Sequence, residues 1–78
     1  MKESFSMADN ESLIILGGEG PQRMFRVENA SSSPLMIDDP TGGREMTVAG
    51  GKVGYYSGKN IAFEARSGAV KGTFTFIA

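Results

Sequence analysis

The chain has 78 residues, no cysteine, no histidine and a formal net charge of −1. This length predicts one domain with a thin core, and the missing residue types exclude disulfides, thiolate metal sites and the most common general base. Small domains usually gain stability from disulfides, metals or oligomerisation. We therefore expect a protein that uses no cofactor and that either oligomerises or is marginally stable alone.

Charge is unevenly distributed along the chain. Residues 1–20 carry one basic and four acidic residues, whereas residues 21–78 carry seven basic and five acidic residues. A net charge of +2 spread over several strands is too weak for a nucleic-acid-binding face. No nucleic-acid partner is expected.

No targeting or membrane-spanning segment is apparent. The residues after Lys2 are not an apolar stretch of the kind found in signal peptides, and the longest apolar run covers only residues 13–16. We expect synthesis in the cytoplasm without a signal peptide, and no membrane partner.

The first eleven residues differ in composition from the rest. Residues 1–11 are polar and acidic, with Phe5 and Met7 as isolated apolar residues. This composition predicts an extended N-terminal arm outside the core. Residues 12–78 are predicted to form a single all-β domain.

Seven short segments follow the arm and are predicted to be strands, because apolar and polar residues alternate in most of them. They cover residues 12–16, 22–28, 34–37, 44–49, 53–57, 60–66 and 70–78. Gly, Pro, Ser or Asp bounds each strand, and strands that recur about every ten residues are typical of a sandwich or small barrel. We predict a small antiparallel β-sandwich or flattened barrel of about seven short strands, without helices.

The alternation also predicts which side chains form the core. The predicted core consists of Leu13, Ile15, Phe25, Val27, Leu35, Ile37, Met46, Val48, Val53, Tyr55, Ile61, Phe63, Val70, Phe74 and Phe76. The last of these strands, residues 70–78, could lie at a sheet edge. Its unpaired backbone groups would then offer a docking line to another chain.

Two turns contain residues that also occur in ligand-binding loops. A phosphate-binding loop at residues 17–20 would need a helix after the glycines, but Pro21 and a strand pattern follow. Asp38 and Asp39 could contact calcium, but adjacent side chains diverge in extended backbone and calcium takes about six to eight oxygen ligands. We expect plain turns at both places and no metal site.

No residue pattern indicates catalysis. No pair of carboxylates can be singled out, and the serines have no histidine to act as their base. We predict that the chain is not an enzyme and expect no small-molecule ligand.

Several apolar residues fall on the face opposite to the predicted core or in the arm. The predicted partner interface consists of Phe5, Met7, Ile14, Leu16, Met36, Tyr56 and Ile77. Monomers rarely expose a continuous apolar patch, although single exposed apolar residues are normal. We expect these residues to contact copies of the same chain, a major shell protein, or both.

These expectations lead to a functional hypothesis. The chain is interpreted as a structural or accessory subunit of a large symmetric assembly. The specific hypothesis is a bacteriophage virion protein of the decoration (cement) or minor structural type, held by many weak contacts. The alternative is a soluble module that recognises a glycan or a host protein, including a host defence enzyme that it inhibits. This module would act through the Tyr55–Tyr56 hairpin and the loops.

Overall fold

The computed structural model describes residues 2–77, which form eight strands and contain no helix. The strands are β1 (Lys2–Met7), β2 (Ser12–Gly17), β3 (Arg23–Asn29), β4 (Leu35–Asp39), β5 (Arg44–Val48), β6 (Val53–Gly58), β7 (Asn60–Glu64) and β8 (Val70–Phe76). The predicted arm and the predicted last strand also include Met1 and Ala78, which lie outside the described residues.

The strands form two antiparallel four-stranded sheets. Sheet A has the order β1-β8-β3-β6, and sheet B has the order β2-β7-β4-β5. The pairs β1–β8, β2–β7, β3–β6 and β4–β5 are those of one long hairpin whose tip is the turn at residues 40–43. Rolling such a hairpin into two sheets gives the eight-stranded jelly roll. The prediction of a small all-β antiparallel sandwich is confirmed.

Four connections at one end of the sandwich indicate which strands face each other, whereas residues 18–22 and Lys59 cross diagonally between the sheets at the other end. Residues 8–11, 30–34, 49–52 and 65–69 each join a strand of one sheet to a strand of the other. These connections place β1 over β2, β8 over β7, β3 over β4 and β6 over β5. The edge strand β2 therefore lies on the opposite side of the sandwich from the edge strand β6.

Aromatic rings fill the space between the sheets. Phe63 of sheet B packs against three rings of sheet A, with centroid distances of 5.1 Å to Phe5, 5.7 Å to Phe74 and 6.1 Å to Phe25. The buried apolar residues are Phe5, Met7, Phe25, Val27, Leu35, Ile37, Val48, Ile61, Phe63, Ala65, Val70 and Phe74. Most of the predicted core is therefore confirmed, and Ile15, Met46 and Phe76 pack against it while partly exposed.

The N-terminal segment differs from the predicted arm. Residues 2–7 form β1, which pairs along its whole length with β8. Phe5 and Met7 are only 5% and 4% exposed, because both point into the space between the sheets. The structure has eight strands where seven were predicted, and the additional strand supplies part of the core.

The connection after β1 is also attached to the domain. The amide of Asn10 donates to the carbonyl of Ala65 over 2.6 Å, and the amide of Ala65 donates to the carbonyl of Glu11 over 2.9 Å. The Asp9 carboxylate accepts the amide of Gly68 at 3.0 Å. These bonds tie residues 8–11 to the connection between β7 and β8.

The orientation predicted for β6 is wrong. Val53 and Tyr55 are 47% and 62% exposed, whereas Tyr56 points inward. The register places Tyr56 opposite Phe25, whose ring centroid is 6.0 Å away. The Tyr56 ring occupies the space where a side chain on Gly54 would lie, so the glycine accommodates the tyrosine.

A β-bulge changes the orientation of β2. The register with β7 shifts between Ile14 and Leu16. As a result Ile15 and Leu16 both pack against the core, whereas Leu13, which was predicted to be buried, is 39% exposed. Bulges let two neighbouring residues approach the same face.

The last strand is not an edge strand. β8 lies between β1 and β3 and pairs with both. Its backbone groups are therefore used within sheet A, and they cannot provide the docking line that a terminal edge strand would offer.

The position of Phe5 in the core leads to a prediction for Phe5→Ala. We expect the free energy of unfolding to fall by about 3–5 kcal/mol, as for other buried aromatic residues. The total for a chain of this length is roughly 4–12 kcal/mol. Urea unfolding followed by circular dichroism would measure the loss. The exposed neighbour Ser4 provides the control, because Ser4→Ala should change stability little. Equal stability of the two variants would contradict the inclusion of β1 in the core.

The close approach of β3 and β8 leads to a second prediction. A Cβ atom on Gly72 would collide with the backbone carbonyl of Glu28, which cannot move without disturbing the sheet. We expect Gly72→Ala to lower the free energy of unfolding by about 1–3 kcal/mol. Gly17→Ala is the matched control, since no atom lies within 4 Å of its Cβ position. Thermal unfolding of both variants would show a lower midpoint for the first alone, and equal midpoints would argue against this packing.

Candidate interaction surfaces

The predicted interface residues do not form one surface. Phe5 and Met7 lie in the core, so the prediction that they contact a partner is corrected. Leu16 and Tyr56 are partly buried against the core. Burial also raises the pKa of the Tyr56 hydroxyl.

The other three predicted residues lie at separate places. Ile14 is 73% exposed on the edge strand β2, and Ile77 is 50% exposed after β8. Met36 is half-buried on the outer face of sheet B, where the Thr47 hydroxyl donates to its sulfur over 3.4 Å. Of the seven residues, Ile14 and Ile77 are the large apolar side chains that are clearly exposed.

The exposed apolar side chains of the described residues occupy two regions. They are Leu13, Ile14, Met24, Val53, Tyr55 and Ile77. Leu13 and Ile14 form what we call the β2 edge. The other four project from the outer face of sheet A and form the sheet A patch. Sequence reasoning missed Leu13, Val53 and Tyr55 because it assigned them to the core.

Register and backbone bonding bring the members of the sheet A patch near one another. Met24 of β3 is opposite Ser57 of β6, so Tyr55 is its diagonal neighbour. The amide of Ile77 donates to the carbonyl of Met24 over 2.9 Å. Val53 lies two residues before Tyr55 on β6, opposite Glu28. The patch therefore runs along β6 and crosses β3 to the residue that follows β8.

An arginine and a glutamate lie beside the patch. Arg26 forms an ion pair with Glu28, and it also interacts with the Tyr55 side chain. The hydrogen bond from Arg26 lowers the pKa of the Glu28 carboxyl, and the bond to Glu28 raises the pKa of Arg26. This pair holds charged groups next to Tyr55, as is common at the rim of a protein interface.

The outer face of sheet B is acidic. Asp38, Glu45 and Glu64 project from it. Arg66 contacts Glu45 at 2.7 Å and Glu64 at 3.1 Å. The bonds to Glu64 and then Glu45 raise the pKa of Arg66 above its ordinary value. Since these pairs are solvent-exposed, they contribute little to stability.

A cleft opens between the two sheets beside the β2 edge. Its volume is about 280 Å³, and it is lined by Glu3, Ser4, Leu13, Ile14, Ile15, Phe74 and Phe76. The cleft connects the exposed side chains of β2 with aromatic rings of the core.

The acidic end of β4 has a structural role. Asp38 faces outward, whereas Asp39 is buried and accepts hydrogen bonds from the Gly42 amide and from Arg44, each at 3.0 Å. These two bonds hold the pKa of the Asp39 carboxyl below its ordinary value. Because Asp39 is already satisfied, it is a poor ligand for calcium.

Asn29 likewise has a structural role. This buried side chain donates to the carbonyls of Val48 at 2.9 Å and Ser33 at 2.7 Å, and it accepts the amide of Ser31 at 3.0 Å. Its hydrogen bonds to Ser31 and Ser33 therefore hold the connection between β3 and β4 in place. Its polar atoms are used within the domain.

The remaining motifs supply no ligand site. The glycine-rich residues 17–20 lead into β3, so no helix N-terminus is present to bind phosphate. Within residues 2–77 no three acidic, histidine or cysteine side chains are grouped to hold a metal ion. The same residues include no helix long and apolar enough to cross a membrane.

Comparison of the chain with protein-family models, with curated proteins and with solved structures gives no match. Arguments about function therefore depend on the surfaces described above.

The bonding of Asp39 leads to a prediction about acid stability. A carboxyl whose pKa is lower in the folded state stabilises the fold above its unfolded pKa, and this contribution is lost as the pH falls. We expect the free energy of unfolding to decrease below about pH 4. Asp39→Asn should be less stable than the wild type at pH 7 but should lose less stability on acidification. Urea unfolding from neutral to acidic pH would measure both.

Asp38→Asn is the matched control for this experiment. It changes the neighbouring carboxylate but leaves the bonds of Asp39 intact, so it should lose stability on acidification as the wild type does. If all three proteins lost stability in parallel, Asp39 would not be the group responsible.

Proposed function

We propose that this chain is a non-enzymatic structural or accessory subunit of a large symmetric assembly. The specific proposal is a bacteriophage virion protein of the capsid-decoration or minor structural type. The partners would be copies of the same chain, a major shell protein, or both. The final location would be the virion.

One observation carries the proposal. The exposed apolar side chains form two separate regions, and β2 and β6, which contribute to them, lie on opposite sides of the sandwich. A subunit within a lattice has neighbours on more than one side, whereas a module that captures one ligand needs one site. A domain of 78 residues with apolar residues at two sides suits the first role.

The fold is compatible with this role. Jelly rolls are common in viral capsids, although they also occur in lectins and in enzymes. A fold alone does not establish a function. The jelly-roll topology therefore supports the proposal only together with the two apolar regions.

A specific observation also favours the alternative function. Tyr55 is 62% exposed and lies beside Arg26 and Glu28, an arrangement that could stack on a sugar or contact a host protein. Tyr56 does not contribute, because it packs inward. Ligand binding by such a recognition module would require Tyr55 and would not change when the β2 edge is mutated.

The virion proposal predicts that the chain copurifies with particles. Phage particles produced by the genome that encodes the chain would be purified on a density gradient, and their bound copies counted by mass spectrometry. We expect many copies per particle. After deletion of the gene, complementation with Ile14→Ser or Tyr55→Ser should lower the bound copies several-fold, because each removes apolar contact area.

Lys71→Ser is the control, since Lys71 is exposed but belongs to neither apolar region. It should leave the number of bound copies unchanged. Absence of the chain from particles while it is abundant in the same lysate would contradict the proposal. Specific glycan or host-protein binding that Tyr55→Ser abolishes and Ile14→Ser leaves intact would favour the recognition module instead.

A further inference from the structure

The four edge strands differ in how they are protected from pairing with other chains. β1 carries Lys2 and Glu3, and β5 carries Arg44 and Glu45. Charged residues of this kind are a common means of keeping an edge strand unpaired. The six residues of β2 and the six residues of β6 contain no charge.

The two uncharged edges also carry most of the exposed apolar area. Four of the six exposed large apolar side chains belong to them, Leu13 and Ile14 on β2, and Val53 and Tyr55 on β6. An uncharged apolar edge is a template for strand addition. The described part of the chain thus has two uncharged edges, one in each sheet. The Ser57 carbonyl near the end of β6 accepts a hydrogen bond from Arg44 at 2.9 Å, so the part of this edge that remains open lies nearer Val53 and Tyr55.

The residues that flank these edges have opposite charges. Glu11 immediately precedes β2, and Glu19 follows its end by two residues. Lys52 immediately precedes β6, and Lys59 immediately follows it. All four side chains are exposed, and Glu11 also accepts the amide of Ala8. One edge is therefore bracketed by carboxylates and the other by ammonium groups.

We propose that β2 of one copy pairs with β6 of a second copy as antiparallel strands. In this arrangement Glu11 lies near Lys59 of the second copy, and Glu19 lies near Lys52 of the second copy. This deepens the proposed function, on which it rests, because it names the partner of both edges as another copy of this chain.

Side-chain orientation agrees with this pairing. Ile14 projects from the outer face of sheet B and Tyr55 from the outer face of sheet A, so the two lie on one face when the sheets are joined. The regular part of β2, before its bulge, is Ser12–Ile14. Placing Ile14 beside Tyr55 uses that part and leaves the bulged residues near the end of the contact.

Charge argues against the symmetric alternatives. Pairing β2 with another β2 would bring carboxylates together at both ends, and pairing β6 with another β6 would bring ammonium groups together. Like charges across an interface disfavour a pairing. The contact between β2 and β6 is heterologous, so each copy uses one edge for each neighbour, and the product is a ring or an open chain.

The test measures the mass of the purified full chain by sedimentation velocity, from about 1 µM to about 1 mM. We expect the wild type to form oligomers larger than dimers, and salt to weaken them because the flanking charges are exposed. The variant E11K/E19K and the variant K52E/K59E should each weaken association about tenfold or more, since each makes the flanks alike.

Charge exchange provides the decisive control. The quadruple variant E11K/E19K/K52E/K59E restores opposite flanks, and so does an equimolar mixture of the two double variants. Both should recover the oligomers. Circular dichroism and thermal unfolding would verify that every variant is folded.

A second pair of variants tests the strand itself. Ile14→Lys places a charge on the uncharged edge and should abolish association. Thr73→Lys is the matched control, because Thr73 is also β-branched but lies on the outer face of β8, which is enclosed by β1 and β3 and belongs to neither apolar region. It should associate as the wild type does.

The possible outcomes separate this inference from the proposed function. Three results would overturn the pairing of β2 with β6. They are a wild type that stays monomeric at all concentrations, a closed dimer, and oligomers whose stability does not change in the charge variants. Such a chain could still be found on particles, and the proposed function would stand. Conversely, oligomers with the expected charge dependence support the pairing even when the chain is absent from particles.

Discussion

Phe63 of β7 packs against Phe5, Phe25 and Phe74, which belong to three different strands of sheet A. Edge-to-face and tilted ring contacts of this kind add to the apolar area that they bury. A small domain buries a smaller fraction of its surface on folding than a large domain does. Few other residues can therefore contribute as much to the stability of the fold as these four rings. This cluster joins β1, β3 and β8 to sheet B, and it fixes the edge strand β1 against the opposite sheet.

The aromatic cluster also determines what remains at the surface. Once the rings occupy the space between the sheets, β6 can bring only Tyr56 inward, and Gly54 leaves the room that this ring fills. Val53 and Tyr55 must then face solvent. The exposure of Val53 and Tyr55 is thus a consequence of core packing at β6.

Local patterns predicted the strands well, because alternation reports which face of a strand is buried. They failed where the local sequence agreed equally well with two different structures. Phe5 and Met7 alternate with polar residues, but the acidic composition around them suggested an arm. Tyr55 and Tyr56 lie on opposite faces, and only the register with Phe25 decides between them. The run at residues 13–16 is apolar on both faces, so its bulge could not be predicted.

The candidate surfaces were harder to predict than the fold, for a related physical reason. The charges of Glu11, Glu19, Lys52 and Lys59 can be read directly from the sequence, but their meaning depends on which strands lie at edges. Which strands lie at edges is decided by pairing between strands that are far apart in the sequence, such as β1 with β8 and β2 with β7. The terminal strand, which seemed the natural docking edge, is enclosed by β1 and β3.

Charge is distributed differently over the four edge strands. A jelly roll has four edges, and each is a hazard for uncontrolled pairing unless it is blocked. Charged residues occupy β1 and β5, whereas on β2 and β6 the charges are displaced to the flanks. Charges at the flanks leave the backbone of the strand free to pair. They also favour a partner strand whose flanking charges have the opposite sign. In the proposed pairing, β1 and β5 are closed to other chains, and β2 and β6 pair with each other rather than with copies of themselves.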